Sequence, residues 1–110
     1  MSSLINNKKI CGLLGLATRA GKIVFGTEAC MQAIEKNKIK LVIIATDAAE
    51  RTKMNFSSIC NSKKIPIFEY LNSEEMSKAI GKTNKVILGI KDINFSNEII
   101  KIINGGEAIG

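Results

Sequence analysis

Hydrophobic positions along the chain alternate between helical spacing and short unbroken runs. Spacing of i, i+3, i+4 and i+7 predicts a first helix over residues 3–20, with Gly21 just past its end. The apolar residues with this spacing are Ile10, Leu13, Leu14 and Ala17. A short apolar strand follows at residues 23–25, and a second helix is predicted over residues 27–37.

Two unbroken apolar runs, residues 41–45 and 86–90, are too short for typical helices and predict strands covered on both faces. A third strand is predicted at residues 67–70, after Pro66. Helical spacing returns between and after these strands. The apolar and small residues that pattern those helices are Thr52, Phe56, Ile59, Cys60, Phe95, Ile99, Ile102 and Ile103. The alternation predicts an α/β fold, a single-domain three-layer α/β/α sandwich over residues 1–110 with a mixed sheet of about four strands.

Two short sequences have the form of a capping box, in which the N-cap side chain and the third residue of the helix exchange hydrogen bonds with the backbone. They are Asp47-Ala48-Ala49-Glu50 and Asn72-Ser73-Glu74-Glu75. Each predicts the start of a helix. An Asp at the end of a strand is also a candidate catalytic acid or metal ligand in open α/β folds, and the capping role is the simpler interpretation of Asp47.

Gly26 and Thr27 join the first short strand to the second helix. A helix start exposes up to about four backbone N–H groups and the positive end of the helix dipole, so it favours phosphates and acceptor-rich base edges. Glu28, Gln32 and Lys36 follow at i, i+4 and i+8 on one side of that helix. Cations precede and follow the corner in sequence: Arg19, Lys22, Lys36, Lys38 and Lys40. This arrangement favours a polyanion-binding module, and the alternative is a solvated helix face.

Sixteen basic residues stand against ten acidic ones, which gives a net charge of +6 over 110 residues. A field of this size attracts nucleic acid or an anionic membrane, although ordinary solubility is an alternative explanation. No run of about eighteen apolar residues exists to span a bilayer, and the N-terminus lacks the apolar core of a signal peptide. We therefore expect a cytoplasmic protein with no membrane partner.

The chain has no histidine, and its three cysteines, Cys11, Cys30 and Cys60, lie far apart among apolar residues. They are predicted to be small core residues, so we expect no metal site, no cofactor and no catalytic residue. No glycine-rich phosphate loop is present either. With four Phe, one Tyr and no Trp, the chain also lacks the stacking platform typical of single-strand binders, which favours structured RNA.

Four segments in this order and spacing resemble the bacterial YlxQ-like branch of the kink-turn-binding ribosomal-protein superfamily. They are LGLATRAGK at 14–22, GTEAC at 26–30, KLVIIATDA at 40–48 and KAIGK at 78–82. The resemblance implies a non-catalytic RNA-binding protein associated with the ribosome or with translation. Its expected partner is structured RNA, with ribosomal RNA and the ribosome among the candidates, and we expect a monomer when it is free.

In that superfamily the start of the second helix contacts the guanines of tandem sheared G·A pairs, and a loop before the last strand packs on a base turned out of the bend. Kink-turn binders commonly carry Asn, Glu and Lys at the positions of Glu28, Ala29 and Gln32. Together with the cations around the corner, the resemblance gives these candidate RNA-binding residues: Lys22, Gly26, Thr27, Glu28, Gln32, Lys36, Lys82, Asn84, Lys85 and Val86.

Two functions from other classes remain open. A small nucleotide-binding enzyme would use the same strand ends and helix starts, but the chain lacks the phosphate loop, the histidine and the clustered acids that such an enzyme needs. A protein-interaction subunit of a translation complex would contact RNA only incidentally. Salt dependence and ribonuclease treatment distinguish these alternatives from RNA binding.

Overall fold

The computed structural model describes residues 2–105, and it contains five helices and four strands in strict alternation over that range. In chain order they are α1 (Ser2–Arg19), β1 (Ile23–Phe25), α2 (Thr27–Glu35), β2 (Leu41–Ile44), α3 (Glu50–Lys63), β3 (Ile67–Glu69), α4 (Ser73–Ala79), β4 (Ile87–Ile90) and α5 (Ile93–Ile103). The sheet has the order β1-β4-β2-β3. β4 runs antiparallel to both β1 and β2, and β3 runs parallel to β2.

Helices cover both faces of this mixed sheet because the side chains of its central strands alternate in direction. Leu41 and Ile43 of β2 pack in a cluster with residues of α1, α4 and α5. Val42 and Ile44 pack on the other face with residues of α2 and α3. All four side chains are buried. The predicted three-layer α/β/α sandwich with four strands is therefore confirmed, and element ends differ from the prediction by one or two residues.

Of the two predicted capping boxes, one is confirmed. Asn72 accepts a hydrogen bond from the backbone N–H of Glu75 at 2.8 Å, and the backbone N–H of Asn72 donates to the Glu75 carboxylate at 2.9 Å. Both bonds of the box are thus present at the start of α4.

The capping role predicted for Asp47 is wrong. Ala49 is the N-cap of α3, and no side chain caps that helix. The Asp47 carboxylate instead accepts hydrogen bonds from the backbone N–H and the hydroxyl of Ser73, both at 2.8 Å. These bonds lower the pKa of the Asp47 carboxyl. The carboxylate is drawn to the positive end of α4, which is near in space, instead of to the helix that follows it in sequence.

The three cysteines behave as the sequence predicts. Cys30 and Cys60 are buried and Cys11 is half-buried. Burial raises the pKa of each thiol, to about 12 for Cys30 and to about 11 for Cys60. Protonated, buried thiols are packing groups and poor nucleophiles. A separate finding is that no helix within residues 2–105 is long and apolar enough to cross a membrane.

Candidate functional site

The corner between β1 and α2 is a fixed backbone feature. Gly26 has φ 99° and ψ 149°, a conformation that only glycine adopts readily. Its N–H donates to the carbonyl of Ile87 at 3.2 Å, which fastens the corner to the start of β4. The first bond of α2 runs from the N–H of Cys30 to the carbonyl of Gly26 at 3.0 Å, and no side chain caps the helix. The amides of residues 27–29 therefore precede the intrahelical bonds and can donate to an acceptor.

Residues 82–86 form a basic loop whose shape depends on Ser77. The backbone N–H of Lys85 donates to the Ser77 hydroxyl at 2.8 Å, and that hydroxyl donates to the Lys85 carbonyl at 3.2 Å. The N–H of Lys82 donates to the Ser77 carbonyl at 2.8 Å. Asn84 takes a left-handed conformation at φ 56°. Because Ser77 is only 4% exposed, these bonds are shielded from water and hold the loop in place.

Phe25 connects the loop to the corner. The ammonium groups of Lys82 and Lys85 lie 4.9 and 5.8 Å from the centroid of its half-buried ring. At these distances the ring attracts both cations, so they gather beside the residue that precedes Gly26. We call the combined region, residues 26–29 and 82–86, the corner surface. It contains seven of the sequence-derived candidates: Gly26, Thr27, Glu28, Lys82, Asn84, Lys85 and Val86.

The outer face of α2 continues from the corner surface. Glu28, Gln32 and Lys36 are all exposed, as their spacing predicts. A shallow groove beside the helix is lined by Val24, Ala29, Gln32, Ala33, Lys36, Lys38 and Lys91. Ala29 and Gln32, the two departures from the kink-turn binders, therefore lie side by side on an open surface.

Lys22 and Lys36 do not lie at the corner, although the sequence suggests that cations surround it. β1 carries the chain about 10 Å between Lys22 and Gly26, and the nine residues of α2 carry it about 14 Å to Lys36. Both elements run the length of the sheet, so residues just outside them lie at its opposite end. The N–H of Lys91 donates to the Lys22 carbonyl there at 2.9 Å. As RNA contacts, Lys22 and Lys36 stay predictions.

Acidic side chains lie at the same end of the sheet as the corner surface. They are Asp47, Glu50, Glu69, Glu74 and Glu75. Lys53 is nearby, but its ammonium binds the Glu69 carboxylate at 3.2 Å, and that bond raises its pKa. It also donates to the Thr46 carbonyl at 2.8 Å. Lys53 is thus held in internal contacts. Lys82 and Lys85 are the cations of the corner surface itself, and the exposed Lys78 lines a pocket with Lys82 and Asn84 beside it. Across residues 2–105, no three His, Cys, Asp or Glu side chains are grouped to hold a metal ion.

Sequence reasoning missed two residues that hold the corner surface together from beside it, Phe25 and Ser77. Phe25 is one of three apolar residues in β1 and has the pattern of a core position. Ser77 is a polar residue next to the buried Met76 on a short helix, which is a weak indication of a buried hydroxyl with a structural role. Neither residue type identifies its loop partner, because the loop begins five residues after Ser77 and much later in the chain than Phe25.

Comparison with known proteins agrees with this architecture. The model of the ribosomal protein L7Ae/L30e/S12e/Gadd45 family matches residues 8–100. A protein of Enterococcus faecium called RNA-binding protein YlxQ is 37% identical over 100 residues, which cover 91% of this chain and 96% of that one. The protein of the same name from Bacillus subtilis is 32% identical over 92 residues, covering 84% and 92%. Large ribosomal subunit protein eL8 of Thermoplasma volcanium is 29% identical over 98 residues, covering 88% and 81%.

Solved structures show the same fold. A protein of unknown function from Bacillus halodurans C superposes with a TM-score of 0.85 at 35% identity, over 87% of this chain and 97% of that one. The 15.5kD RNA binding protein of Giardia lamblia superposes with a TM-score of 0.75 at 18% identity, over 96% and 90%, and at that identity the likeness concerns the fold alone. Since the family model and the YlxQ relatives span most of the sequence, the resemblance predicted from its four segments is confirmed, and this chain belongs to the ribosomal protein L7Ae/L30e/S12e/Gadd45 family.

Proposed function

We propose that residues 1–110 make up one non-catalytic, cytoplasmic RNA-binding domain that recognises a sharp bend in structured RNA, such as a kink-turn. It is monomeric when free and works with the ribosome or in translation. The observation that carries this proposal is the corner surface, where uncapped helix amides lie beside a cationic loop of fixed shape. The names of the relatives support it, because two are RNA-binding proteins and one is a protein of the large ribosomal subunit.

The groups of the corner surface have chemically distinct parts in this proposal. The amides of Thr27, Glu28 and Ala29 donate to acceptors on the bent RNA, and the Glu28 carboxylate accepts from guanine edges. The Gln32 amide group donates or accepts one step further along α2. These groups read the shape and the base edges at the bend.

The basic loop supplies the other part. Lys82 and Lys85 neutralise phosphates, and Val86, which is half-buried, offers an apolar contact to a base turned out of the stack. Asn84 presents its amide from an exposed turn. Because Ser77 holds this loop before RNA arrives, little conformational entropy is lost on binding.

Binding measurements with matched RNAs test the proposal. A kink-turn RNA is compared with a straight duplex in which the tandem G·A pairs are replaced by Watson–Crick pairs, and with an unstructured strand of equal length. We expect the kink-turn to bind at least about tenfold more tightly, a difference of roughly 1.4 kcal/mol. Affinity for all three should fall as salt rises. Equal affinity for the three RNAs across salt concentrations contradicts recognition of a bend.

A pull-down from cells tests the protein-interaction alternative. We expect ribonuclease treatment to release the captured partners, because RNA holds them. A protein partner that stays bound after ribonuclease, at high salt, contradicts the proposal and favours an interaction subunit.

A further inference from the structure

Seven lysines lie at the end of the sheet opposite the corner surface, where β1 and β2 begin, β4 ends and α2 and α3 end. We call this region the lysine end, and its members are Lys22, Lys36, Lys38, Lys40, Lys63, Lys64 and Lys91. Two acids lie among them, Glu35 and Asp92, and the Asp92 carboxylate is already bound to the backbone N–H of Phe95 at 2.9 Å. Most of the net charge of +6 is therefore located away from the corner surface.

Backbone contacts fix the positions of these lysines relative to each other. The N–H of Lys91 donates to the Lys22 carbonyl at 2.9 Å, and the N–H of Lys40 donates to the Ile90 carbonyl at 2.8 Å. Lys36, Lys38 and Lys91 line the groove beside α2. Lys40, Lys63 and Lys64 line a second groove, together with Asn37, Pro66 and Ile93 among other residues. The charges thus form two adjoining cationic grooves.

Helix stabilisation explains only part of this cluster. Cations near a helix C-terminus are favourable by about 0.3–1 kcal/mol, which accounts for Lys36, Lys63 and Lys64 at the ends of α2 and α3. Lys63 also donates to the Glu35 carbonyl at 3.3 Å and to the Asn37 side chain at 3.1 Å, so it has a structural role. The four others lie on turns and at strand ends, and all of them are exposed: Lys22, Lys38, Lys40 and Lys91.

We infer that the lysine end binds the phosphate backbone of a second RNA helix while the corner surface holds the bend. Every cation that lines the two grooves is a lysine, a point charge that suits phosphates without reading bases or pairing bidentately with carboxylates. Neither groove lining includes an aromatic side chain, although aromatic anchors and arginine are what protein interfaces concentrate. This composition favours a nucleic-acid backbone over a protein partner.

The position of the cluster calls for a second RNA segment. The two ends face opposite ways along the strands, in a molecule that measures 34 × 26 × 25 Å. An RNA helix seated on the corner surface therefore leaves the second groove uncovered. A compact RNA fold, in which another helix returns past the protein, would reach it. The inference rests on the proposed function only for the nature of the polyanion, because the charge cluster itself is independent of bend recognition.

The test uses the full chain, loaded to saturation with a kink-turn RNA, and a labelled RNA duplex of about 16 base pairs without a bend, the length that a double-stranded RNA module spans. We expect the duplex to bind the loaded complex within about twofold of its affinity for the protein alone, measured by fluorescence anisotropy across salt concentrations. Displacement of the kink-turn by the duplex would mean one shared surface and would overturn the inference.

Two triple variants localise the duplex. Lys38→Gln with Lys40→Gln and Lys64→Gln removes three charges from the lysine end, and Lys8→Gln with Lys9→Gln and Lys101→Gln removes three exposed charges from α1 and α5. The first variant should weaken duplex binding by about tenfold or more and flatten the log–log salt slope by about three units. It should leave kink-turn binding within about twofold. The control should keep most of the duplex affinity, and an equal loss in both variants overturns the inference.

Two more outcomes are informative. If the kink-turn binds no better than its straight control, bend recognition fails, while duplex binding to the protein alone still tests the lysine end. Vesicles of one part phosphatidylserine to about three parts phosphatidylcholine provide the other anionic surface. Tighter binding to these vesicles than to the duplex, lost in the first variant only, would assign the lysine end to a membrane and overturn the inference.

Discussion

The two ends of the sheet differ in how their polar groups are held. At the corner surface, Gly26 has a conformation that glycine alone adopts readily, and Ser77 fixes the loop with hydrogen bonds of 2.8 and 3.2 Å. At the lysine end most of the ammonium groups are exposed at turns and strand ends. Hydrogen-bond donors held in fixed positions discriminate between RNA shapes. Exposed charges on flexible side chains attract any polyanion. Under the proposed function, most of the net charge therefore lies away from the surface that selects the RNA.

The two ends of the sheet also differ in how much they should contribute to the salt dependence of RNA binding. The corner surface has acids around it and the cations Lys82 and Lys85, with Lys78 beside them, so it neutralises fewer phosphates than the lysine end. Seven lysines at the other end give a larger field. We expect selectivity for a bend to depend on the corner surface, and the salt slope for the bend-free duplex to depend on the lysine end.

The largest effect on kink-turn affinity should come from a glycine substitution at the corner surface. Gly26→Ala places a side chain at φ 99°, at a cost in the free energy of unfolding of about 1–3 kcal/mol, and it moves the corner amides. We expect kink-turn affinity to fall by about 30-fold or more, which is roughly 2 kcal/mol, in titrations at fixed salt.

Gly21→Ala is the matched control, since Gly21 has φ 72° next to Lys22 at the lysine end. It should also lower the free energy of unfolding, by about 1 kcal/mol, without changing affinity for the kink-turn. Equal loss of affinity in both variants would show that destabilisation alone weakens binding, and the comparison of the two ends would then fail.

A gain of affinity should follow from supplying the groups that kink-turn binders carry. Ala29→Glu with Gln32→Lys adds one carboxylate and one ammonium on the exposed face of α2, without changing the net charge. Charge-assisted hydrogen bonds are worth about 1.5–3 kcal/mol each, so we expect affinity for a standard kink-turn to rise at least about tenfold. Affinity for the straight duplex should not change. No gain in a normally folded variant would mean that this face of α2 does not meet the bend.

Two buried serines offer a smaller and sharper test. Ser77→Ala leaves the N–H of Lys85 without its acceptor, and we expect a loss of about 1–3 kcal/mol in the free energy of unfolding, with kink-turn binding weakened several-fold. Ser96, in the first turns of α5, is buried with a hydroxyl that has no hydrogen-bond partner among residues 2–105. Ser96→Ala should therefore be neutral or stabilising and leave RNA binding unchanged. Urea unfolding and RNA titration measure both, and a neutral Ser77→Ala would remove Ser77 from its assigned role.

The smallest effects should come from single lysines. Lys85→Ala should flatten the salt slope for the kink-turn by about one unit, and Lys36→Ala should do the same for the bend-free duplex. Each change should lower affinity at physiological salt by only a few-fold, because one phosphate contact is lost. If Lys85→Ala leaves the kink-turn slope untouched, the basic loop does not contact phosphates.

Local patterns of residues were enough to predict the helices and strands of this protein and several of their ends. Helical spacing on α1, the unbroken runs of β2 and β4, and the capping box at Asn72 all depend on residues a few positions apart, so local chemistry suffices to predict them. The corner at Gly26 was predictable for the same reason, since a glycine between a strand and a helix is a local feature.

Which of these local features come into contact depends on how the strands pair and the helices pack. The fold of the connection from α4 to β4 brings Ser77 to Lys85, eight residues later. The strand order β1-β4-β2-β3 brings Gly26 to Ile87. It also carries Asp47 to Ser73 instead of to its own helix. Lys22 and Lys36 flank the corner in sequence, but a strand and a helix that each run the length of the sheet place them at its other end. Contacts between distant segments are set by how buried faces pack and strands pair, and a pattern read over neighbouring residues does not contain that information.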